Sequence, residues 1–183
     1  LVQWLFFELA GTATAGFGPS WAQRLHLLLA PSVGMIVVSW MVRRWAPEAQ
    51  GHGVPEVQYA IRKLGGRIRA RVAAVKAVAS AISIGSGGSV GREGPIVQIG
   101  SSLGSTLGQV VGTGPAQTRI LVAAGAAGAI AATFNAPIAG VMFAMEVILG
   151  SFAARSFGLV VIASVTSTAI SIEPRREVTR TSC

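Results

Sequence analysis

Apolar residues in this chain come in long runs that charged residues do not interrupt. Acidic and basic side chains are absent from residues 77–91, 94–118, 120–145 and 156–172. A helix needs about 20 apolar residues to cross the hydrocarbon core of a bilayer, so several of these runs approach or exceed the length of a spanning helix. The pattern therefore predicts helices packed in a membrane, with the runs broken by glycine and proline.

The breaks between the runs predict the individual elements of an all-α fold. Apolar helices are expected at residues 1–10, 25–45, 71–84, 95–111, 117–133, 138–149 and 151–172. A further helix that begins near Pro55 ends by Leu64 and is too short to span. Residues 1–172 are predicted to form the transmembrane region. Residues 173–183 are polar and basic, and they are predicted to be a disordered tail.

Composition favours the bilayer over the interior of a soluble protein. Of the 183 residues, 51% are hydrophobic and only 12% are charged, whereas soluble domains carry about 25% charged residues. The apolar runs are rich in Ala, Gly and Ser, which indicates helices packed closely against one another. Glycines recur every four residues at Gly100, Gly104, Gly108 and Gly112, and they predict a smooth face for a neighbouring helix.

The net charge of +8 is placed as expected for a membrane protein. Most basic residues lie in or beside one connection between apolar segments, namely Arg43, Arg44, Arg62, Lys63, Arg67, Arg69, Arg71 and Lys76. This is the positive-inside pattern, so the connection is predicted to be cytoplasmic. No interleaved aromatic platform for stacking bases accompanies these charges, so nucleic acid is not an expected partner. The single Cys183 excludes an internal disulfide framework.

A glycine-rich stretch, residues 85–95, carries the candidate chemistry. Its backbone can point successive N–H groups into one concavity, and Pro95 suits the first turn of a helix whose other amides are free donors. Loop and helix start together predict an anion site. The carboxylate of Glu93 lies in the same stretch, so a side chain could occupy this site and vacate it. A phosphate-binding loop fits poorly, because the glycine spacing is different and no Gly-Lys-Ser/Thr follows.

A second glycine loop, residues 51–55, also leads into a helix through a proline, and Glu56 follows in the favoured first turn. Short or Gly/Pro-interrupted apolar segments are typical of transporter binding sites, where helix starts meet an anion inside the membrane. Later in the chain, Glu146 is an acid in an apolar helix. Two interpretations of it stay open, a functional intramembrane acid and a structural acid that caps a neighbouring backbone.

Three motifs in this order resemble the ClC family of chloride channels and chloride/proton antiporters: Gly51-His52-Gly53-Val54-Pro55, Gly91-Arg92-Glu93-Gly94-Pro95 and Phe134-Asn135-Ala136-Pro137. The resemblance implies a polytopic helical membrane fold with broken and half-spanning helices, built from two inverted halves. This chain is similar to the first half. A homodimer in the cell membrane is implied, with one pathway per subunit for chloride or a similar small anion. No cofactor, metal or enzymatic activity is expected.

The resemblance also assigns roles to individual residues. Glu93 is expected to be the gate, whose carboxylate fills the outer anion site and leaves when it is protonated or displaced by an anion. The anion-binding set that the resemblance implies is Gly51, His52, Gly53, Arg92, Glu93 and Gly94. The positions expected to have structural roles in the motifs are Pro55, Pro95, Phe134, Asn135 and Pro137.

Departures from the family pattern leave the type of transport open. His52 stands where the family commonly has Ser or Pro, and an imidazole can be charged near neutral pH. The position of the inner proton-relay acid of the antiporters is Val147, and Glu146 matches the acid before it. Valine carries no proton, which favours a channel or an uncoupled transporter. The alternatives are an antiporter that uses Glu146 as relay, and a non-conducting structural fragment that lacks the second half of the pathway.

Overall fold

A computed structural model describes residues 20–47, 50, 51, 53–88 and 90–180, which are helical with short connections and contain no strand. The helices are α1 Ser20–Trp45, α2 Val54–Lys63, α3 Ala70–Gly85, α4 Glu93–Val111, α5 Pro115–Phe134, α6 Pro137–Phe143 and α7 Ala154–Arg180, with a π-helical segment Ala144–Leu149 directly after α6. The predicted all-α fold with broken and short helices is confirmed. The helix predicted at residues 1–10 lies outside the described residues.

The two glycine loops do lead into helices, but the second helix begins earlier than predicted. Helix α2 has Gly53 as its N-cap and Pro55 in its first turn, as the sequence indicates. Helix α4 has Arg92 as its N-cap and starts at Glu93, two residues before Pro95. A proline is tolerated anywhere in a first turn, because the N–H groups there have no intrahelical partner. Glu93 therefore belongs to the helix start itself and not to the loop.

The four-residue glycine repeat packs α4 against α5. A side chain at Gly100 would overlap Gly125 and approach the Ala129 Cβ to 2.6 Å, and one at Gly104 would overlap the backbone of Leu121. The backbones touch here, which requires residues without side chains. The fourth glycine, Gly112, has a different role: it ends α4 in the left-handed conformation, at φ 72°.

Polar side chains fix the basic connection between α2 and α3 against the C-terminal end of α4. The Ser105 hydroxyl donates to the Gly66 carbonyl at 2.6 Å and accepts from the Ile68 amide at 2.8 Å. The Gln109 amide donates to the Ile68 carbonyl at 2.9 Å. The ends of α2 and α4 and the starts of α3 and α5 therefore lie at one end of the helix assembly.

The last helix extends beyond the apolar segment predicted for it. Helix α7 runs from Ala154 to Arg180, past the expected end at Ile172. Residues 173–180 belong to this helix, and residues 181–183 lie outside the described part of the chain. Glu and Arg are good helix formers, so a polar, charged sequence can extend a helix that an apolar segment has started.

By length and hydropathy, one described helix, Pro115–Phe134, is sufficient to cross a membrane, and shorter apolar helices cover Pro137–Leu149 and Ser156–Ile172. The sequence predicted more spanning helices than this. The difference follows from composition and from the breaks: Ala, Gly and Ser contribute little hydropathy, and glycine or proline shortens several helices.

Candidate functional site

The starts of α2 and α4 meet at a backbone contact. A Cβ on Gly53 would overlap the Gly94 carbonyl oxygen and would lie 2.8 Å from the Gly94 carbonyl carbon and 3.4 Å from the Gln98 Cβ. Gly53 is buried and has φ 96°, which side chains rarely adopt. Glycine is therefore required here for two reasons, the backbone conformation and the close approach. The contact brings the positive ends of two helix dipoles together.

The first loop is held by its own side chains. One carboxylate oxygen of Glu56 accepts the Gly53 N–H at 2.7 Å. The other lies where a Cβ of Gly51 would be, so Gly51, also at φ 96°, leaves room for this carboxylate. Gly53 was expected to bind an anion, but its N–H already has an acceptor. Its contribution is the close approach to Gly94. His52 lies outside the described residues.

The second loop carries a carboxylate at the tip of the helix. Glu93 is exposed, and its Oε2 lies 2.5 Å from where a Cβ of Gly91 would be. The side chain thus folds back over the loop that precedes α4. The first N–H groups of α4, those of Glu93 and Gly94, have no intrahelical acceptor by virtue of their position. A carboxylate is stabilised by such a helix start, and a small anion would be stabilised in the same way.

Both loops line one cavity of about 610 Å³. Its wall includes Gly51 from the first loop, Gly91 from the second loop, and Glu93 and Gly94 from the start of α4, together with residues of α1 and α3. Four of the six residues expected to bind the anion therefore lie at the junction of the two loops: Gly51, Gly53, Glu93 and Gly94. Arg92, the N-cap of α4, directly precedes Glu93 in the chain.

Lys76 also lines this cavity, and the sequence, which placed it in or beside the basic connection, did not single it out as a site residue. It lies in the second turn of α3 and is 7% exposed. Its ammonium donates a hydrogen bond of 2.8 Å to the Gly51 carbonyl. A signal was present in the sequence, because Lys76 is the last charged residue before the charge-free run that starts at Ala77.

The third motif forms a tight turn near the start of α4. Phe134 ends α5, and the Arg92 guanidinium lies 5.7 Å from the centre of the Phe134 ring. Asn135 adopts φ 52° and caps α5, and Pro137 begins α6. The Ser164 hydroxyl of α7 donates to the Pro137 carbonyl at 2.6 Å. The turn thus joins three packed helices and contacts the neighbour of the gate candidate.

Glu146 and Val147 lie in the π-helical segment. Glu146 is exposed, and it is not among the residues that line the cavity described above. The carbonyl of Val147 accepts a hydrogen bond of 2.7 Å from the Gln58 side chain of α2. Single π turns in α-helices are frequent at functional sites. Here the segment is tied to the helix that starts at the first glycine loop.

Comparison with known proteins identifies this architecture. A family profile described as voltage gated chloride channel matches residues 34–177. A protein of Ralstonia nicotianae, named a ClcB-like chloride channel protein, is 35% identical over 162 residues, covering 85% of this chain and 36% of that protein. The H(+)/Cl(-) exchange transporter ClcA of Vibrio cholerae is 38% identical over 144 residues, covering 78% of this chain and 29% of the transporter.

Solved structures agree on the fold. The crystal structure of a slow cyanobacterial Cl-/H+ antiporter superposes with a TM-score of 0.76 at 27% identity, covering 93% of this chain and 40% of that one. A eukaryotic CLC transporter superposes with the same TM-score at 21% identity, covering 94% of this chain and 33% of that one. The chain spans about a third of the length of these relatives. It belongs to the voltage gated chloride channel family, whose members are integral membrane proteins.

Proposed function

We propose that this chain supplies one wall of an anion pathway in a multi-pass protein of the cell membrane that carries chloride. The observation that supports this most is the contact between Gly53 and Gly94, because it joins two helix starts. The relatives named as chloride channel and chloride exchanger point to chloride as the anion. A homodimer with one pathway per subunit belongs to the same proposal.

Selectivity in this proposal comes from partial charges. Each helix start is equivalent to roughly half a positive charge. Glu56 already accepts the Gly53 N–H at the start of α2, so the free first-turn amides of α4 supply the direct contacts to the anion. Backbone amides stabilise the anion without the full charge of a side chain, which would hold it too tightly for rapid passage. Gly87 and Gly91 are exposed, and Gly87 adopts φ 84°. Glycine has more accessible backbone conformations than other residues, so in this proposal the second loop adjusts to its occupant.

Glu93 is the gate in this proposal. Its carboxylate has the same charge as the transported anion and lies at the tip of α4, folded over Gly91. Carboxylate and anion therefore compete for the same amides, and protonation removes the competitor. Arg92 contributes attraction at the mouth, and its contact with Phe134 keeps the N-cap of α4 near the α5–α6 turn.

The proposed type of transport, passive or proton-coupled, depends on the residue at position 147, at the inner end of the pathway. Valine at position 147, with its carbonyl bonded to Gln58, offers no titratable group at the position where the resemblance to the antiporters implies an acid. We infer passive chloride movement, channel-like or uncoupled. The antiporter is the second candidate, because two of the similar proteins are named as proton exchangers and Glu146 is adjacent to the relay position.

Paired flux measurements on the full-length protein test both candidates. In vesicles with an outward chloride gradient, we expect chloride efflux with no proton movement beyond that of empty vesicles. Proton uptake in a fixed ratio to chloride efflux would establish the antiporter instead. Absence of any chloride efflux above empty vesicles would contradict the proposal as a whole. The separately expressed 183-residue chain is expected to be inactive, since it spans about a third of its relatives.

A further inference from the structure

The outer face of α1 carries a groove that the proposed function does not use. It has a volume of about 690 Å³, and the described residues that line it are all exposed residues of this helix: Met35, Ile36, Ser39, Trp40, Arg43 and Arg44. Ile36 is 68% exposed and Trp40 is 65% exposed. Contiguous exposed apolar surface of this kind marks a site of contact with a partner or with a membrane.

The groove changes character along the helix. Ile36 and Trp40 are four residues apart, and Arg43 and Arg44 follow within about one further turn, so all four lie on one face. This face is therefore apolar first, then aromatic, and cationic in the last turn of α1. Tryptophan is favoured at the level of the lipid headgroups, and an arginine beside it extends its charged end toward the phosphates.

The opposite face of α1 fixes the helix in this orientation. Met41 and Val42 are buried, and together with Ala46 they pack in one apolar cluster with Val72 of α3. Val72 lies in the first turn of α3, which follows the basic connection. The cationic end of the groove therefore lies at the same end of the helix assembly as that connection, on the side predicted to be cytoplasmic.

We propose that this groove binds an anionic phospholipid of the adjacent leaflet, with the phosphate between Arg43 and Arg44 and an acyl chain along Trp40 and Ile36. Guanidinium groups match phosphate oxygens in both geometry and charge. No acidic side chain is among the described residues that line the groove, so its wall is complementary to a negative headgroup. A soluble anion would leave the apolar wall uncovered, and a zwitterionic lipid would bring its own cation to the two arginines.

Two groove residues allow the lipid site to be tested apart from the anion pathway. Arg43 lines both the groove and the cavity that contains Glu93, whereas Trp40 and Arg44 line the groove and not that cavity. Substitution of Trp40 or Arg44 therefore changes the lipid site without altering a wall of the anion cavity. The lipid site requires a membrane protein, which the family establishes, and it does not require chloride transport.

The test is lipid binding to the full-length protein, measured by native mass spectrometry of detergent-solubilised samples titrated with dioleoyl phosphatidylglycerol or dioleoyl phosphatidylcholine. The two lipids have the same acyl chains and differ in headgroup charge. We expect wild type to bind phosphatidylglycerol about ten-fold more tightly than phosphatidylcholine, because two arginines face the phosphate. Arg44→Gln should reduce this preference about five-fold, the effect of one cation beside an anionic headgroup.

Each substitution has a matched control outside the groove. Arg62→Gln removes the same charge from an exposed position at the end of α2, and the preference should stay within about two-fold of wild type because the solvent screens that charge. Trp40→Ser should weaken both lipids several-fold, since it removes apolar surface from the groove. Trp45→Ser should not, because Trp45 is 57% exposed and does not line the groove.

Equal binding of the two lipids by wild type would overturn the inference, and this comparison needs no variant. Equal loss of preference in Arg44→Gln and Arg62→Gln would also overturn it, because the attraction would then be spread over the basic surface. Glycerol phosphate that displaces phosphatidylglycerol at equal concentration would indicate a site for a soluble anion instead. If another segment of the full-length chain fills the groove, Trp40→Ser will change neither affinity, which would equally contradict a lipid site.

Discussion

The two glycine loops are alike in sequence and different in how they are held. In the first, the Glu56 carboxylate accepts a hydrogen bond from the Gly53 N–H, and the Lys76 ammonium donates one to the Gly51 carbonyl. Side chains from two helices therefore hold the backbone of this loop. At the second, Glu93 at the start of α4 is exposed and lies over Gly91 of the loop. Similar glycine-proline motifs thus differ in how firmly their backbones are held, and in the proposed function the first is a fixed wall and the second a movable gate. What decides between them is the set of charged partners around each loop.

The largest effect is expected from a substitution that disrupts the contact between Gly53 and Gly94. Gly53→Ala would place a methyl group onto the Gly94 carbonyl at φ 96°, combining steric overlap with backbone strain. We expect a loss of about 4 kcal/mol or more in the free energy of unfolding, the size reserved for severe core defects, and hence little folded protein. Thermal unfolding and size-exclusion chromatography of the full-length protein measure this.

Gly158→Ala is the matched control for Gly53→Ala. A Cβ at Gly158 meets nothing within 4 Å in the described part of the chain, and the residue lies within α7. An alanine is more favourable than glycine in a helix interior by up to about 1 kcal/mol, so this variant should be at least as stable as wild type. Equal stability of the two variants would contradict the close contact between the helix starts.

A smaller effect is expected from neutralising the movable gate. Glu93→Gln keeps the shape of the side chain and mimics the protonated acid, so it no longer competes for the amides at the start of α4. We expect chloride flux at neutral pH to rise several-fold and to become nearly independent of pH, with unchanged thermal stability. Vesicle flux between acidic and neutral pH measures this. A pH dependence equal to that of wild type would remove Glu93 from the gating role.

The smallest effect is expected from loosening the contact beside the gate. Phe134→Leu removes the aromatic face under Arg92, a contact of the kind that contributes about 0.5–1 kcal/mol at exposed sites. We expect flux to change by about two- to five-fold, which is the same energy expressed as a ratio. Phe157→Leu is the control, because Phe157 is 45% exposed and Phe134 is 43% exposed. An equal change in both variants would mean that apolar area and not the Arg92 contact is responsible.

The sequence predicted the local features of the fold well. The short helix after Pro55, the glycine face of α4 and the turn at Asn135 all depend on neighbours within one or two helical turns. It placed the start of α4 two residues late, since proline is compatible with several positions in a first turn. Hydrophobic runs alone also could not reveal the π-helical register of residues 144–149.

The candidate site was predicted as two loops that contribute to one anion-binding set, and the atoms at which they meet were not derivable from spacing. Gly53 and Gly94 are joined by a contact between residues far apart in the chain, which only the packed fold determines. Lys76 was missed for a related reason. In the sequence it continues a basic cluster, and in the fold it is one turn into α3 and buried. Lys76 and Lys63 are the same residue type, and what distinguishes them is that Lys76 is buried and Lys63 is exposed.

The most direct measurement of the central claim is the position of a bound halide. Bromide can replace chloride in crystals of the full-length protein, and its anomalous scattering locates it independently of the protein atoms. We predict a bromide peak at the junction of the two helix starts, within hydrogen-bonding distance of amides at the beginning of α4, and a stronger peak in Glu93→Gln. Bromide bound only elsewhere, with this junction empty in both proteins, would contradict the account.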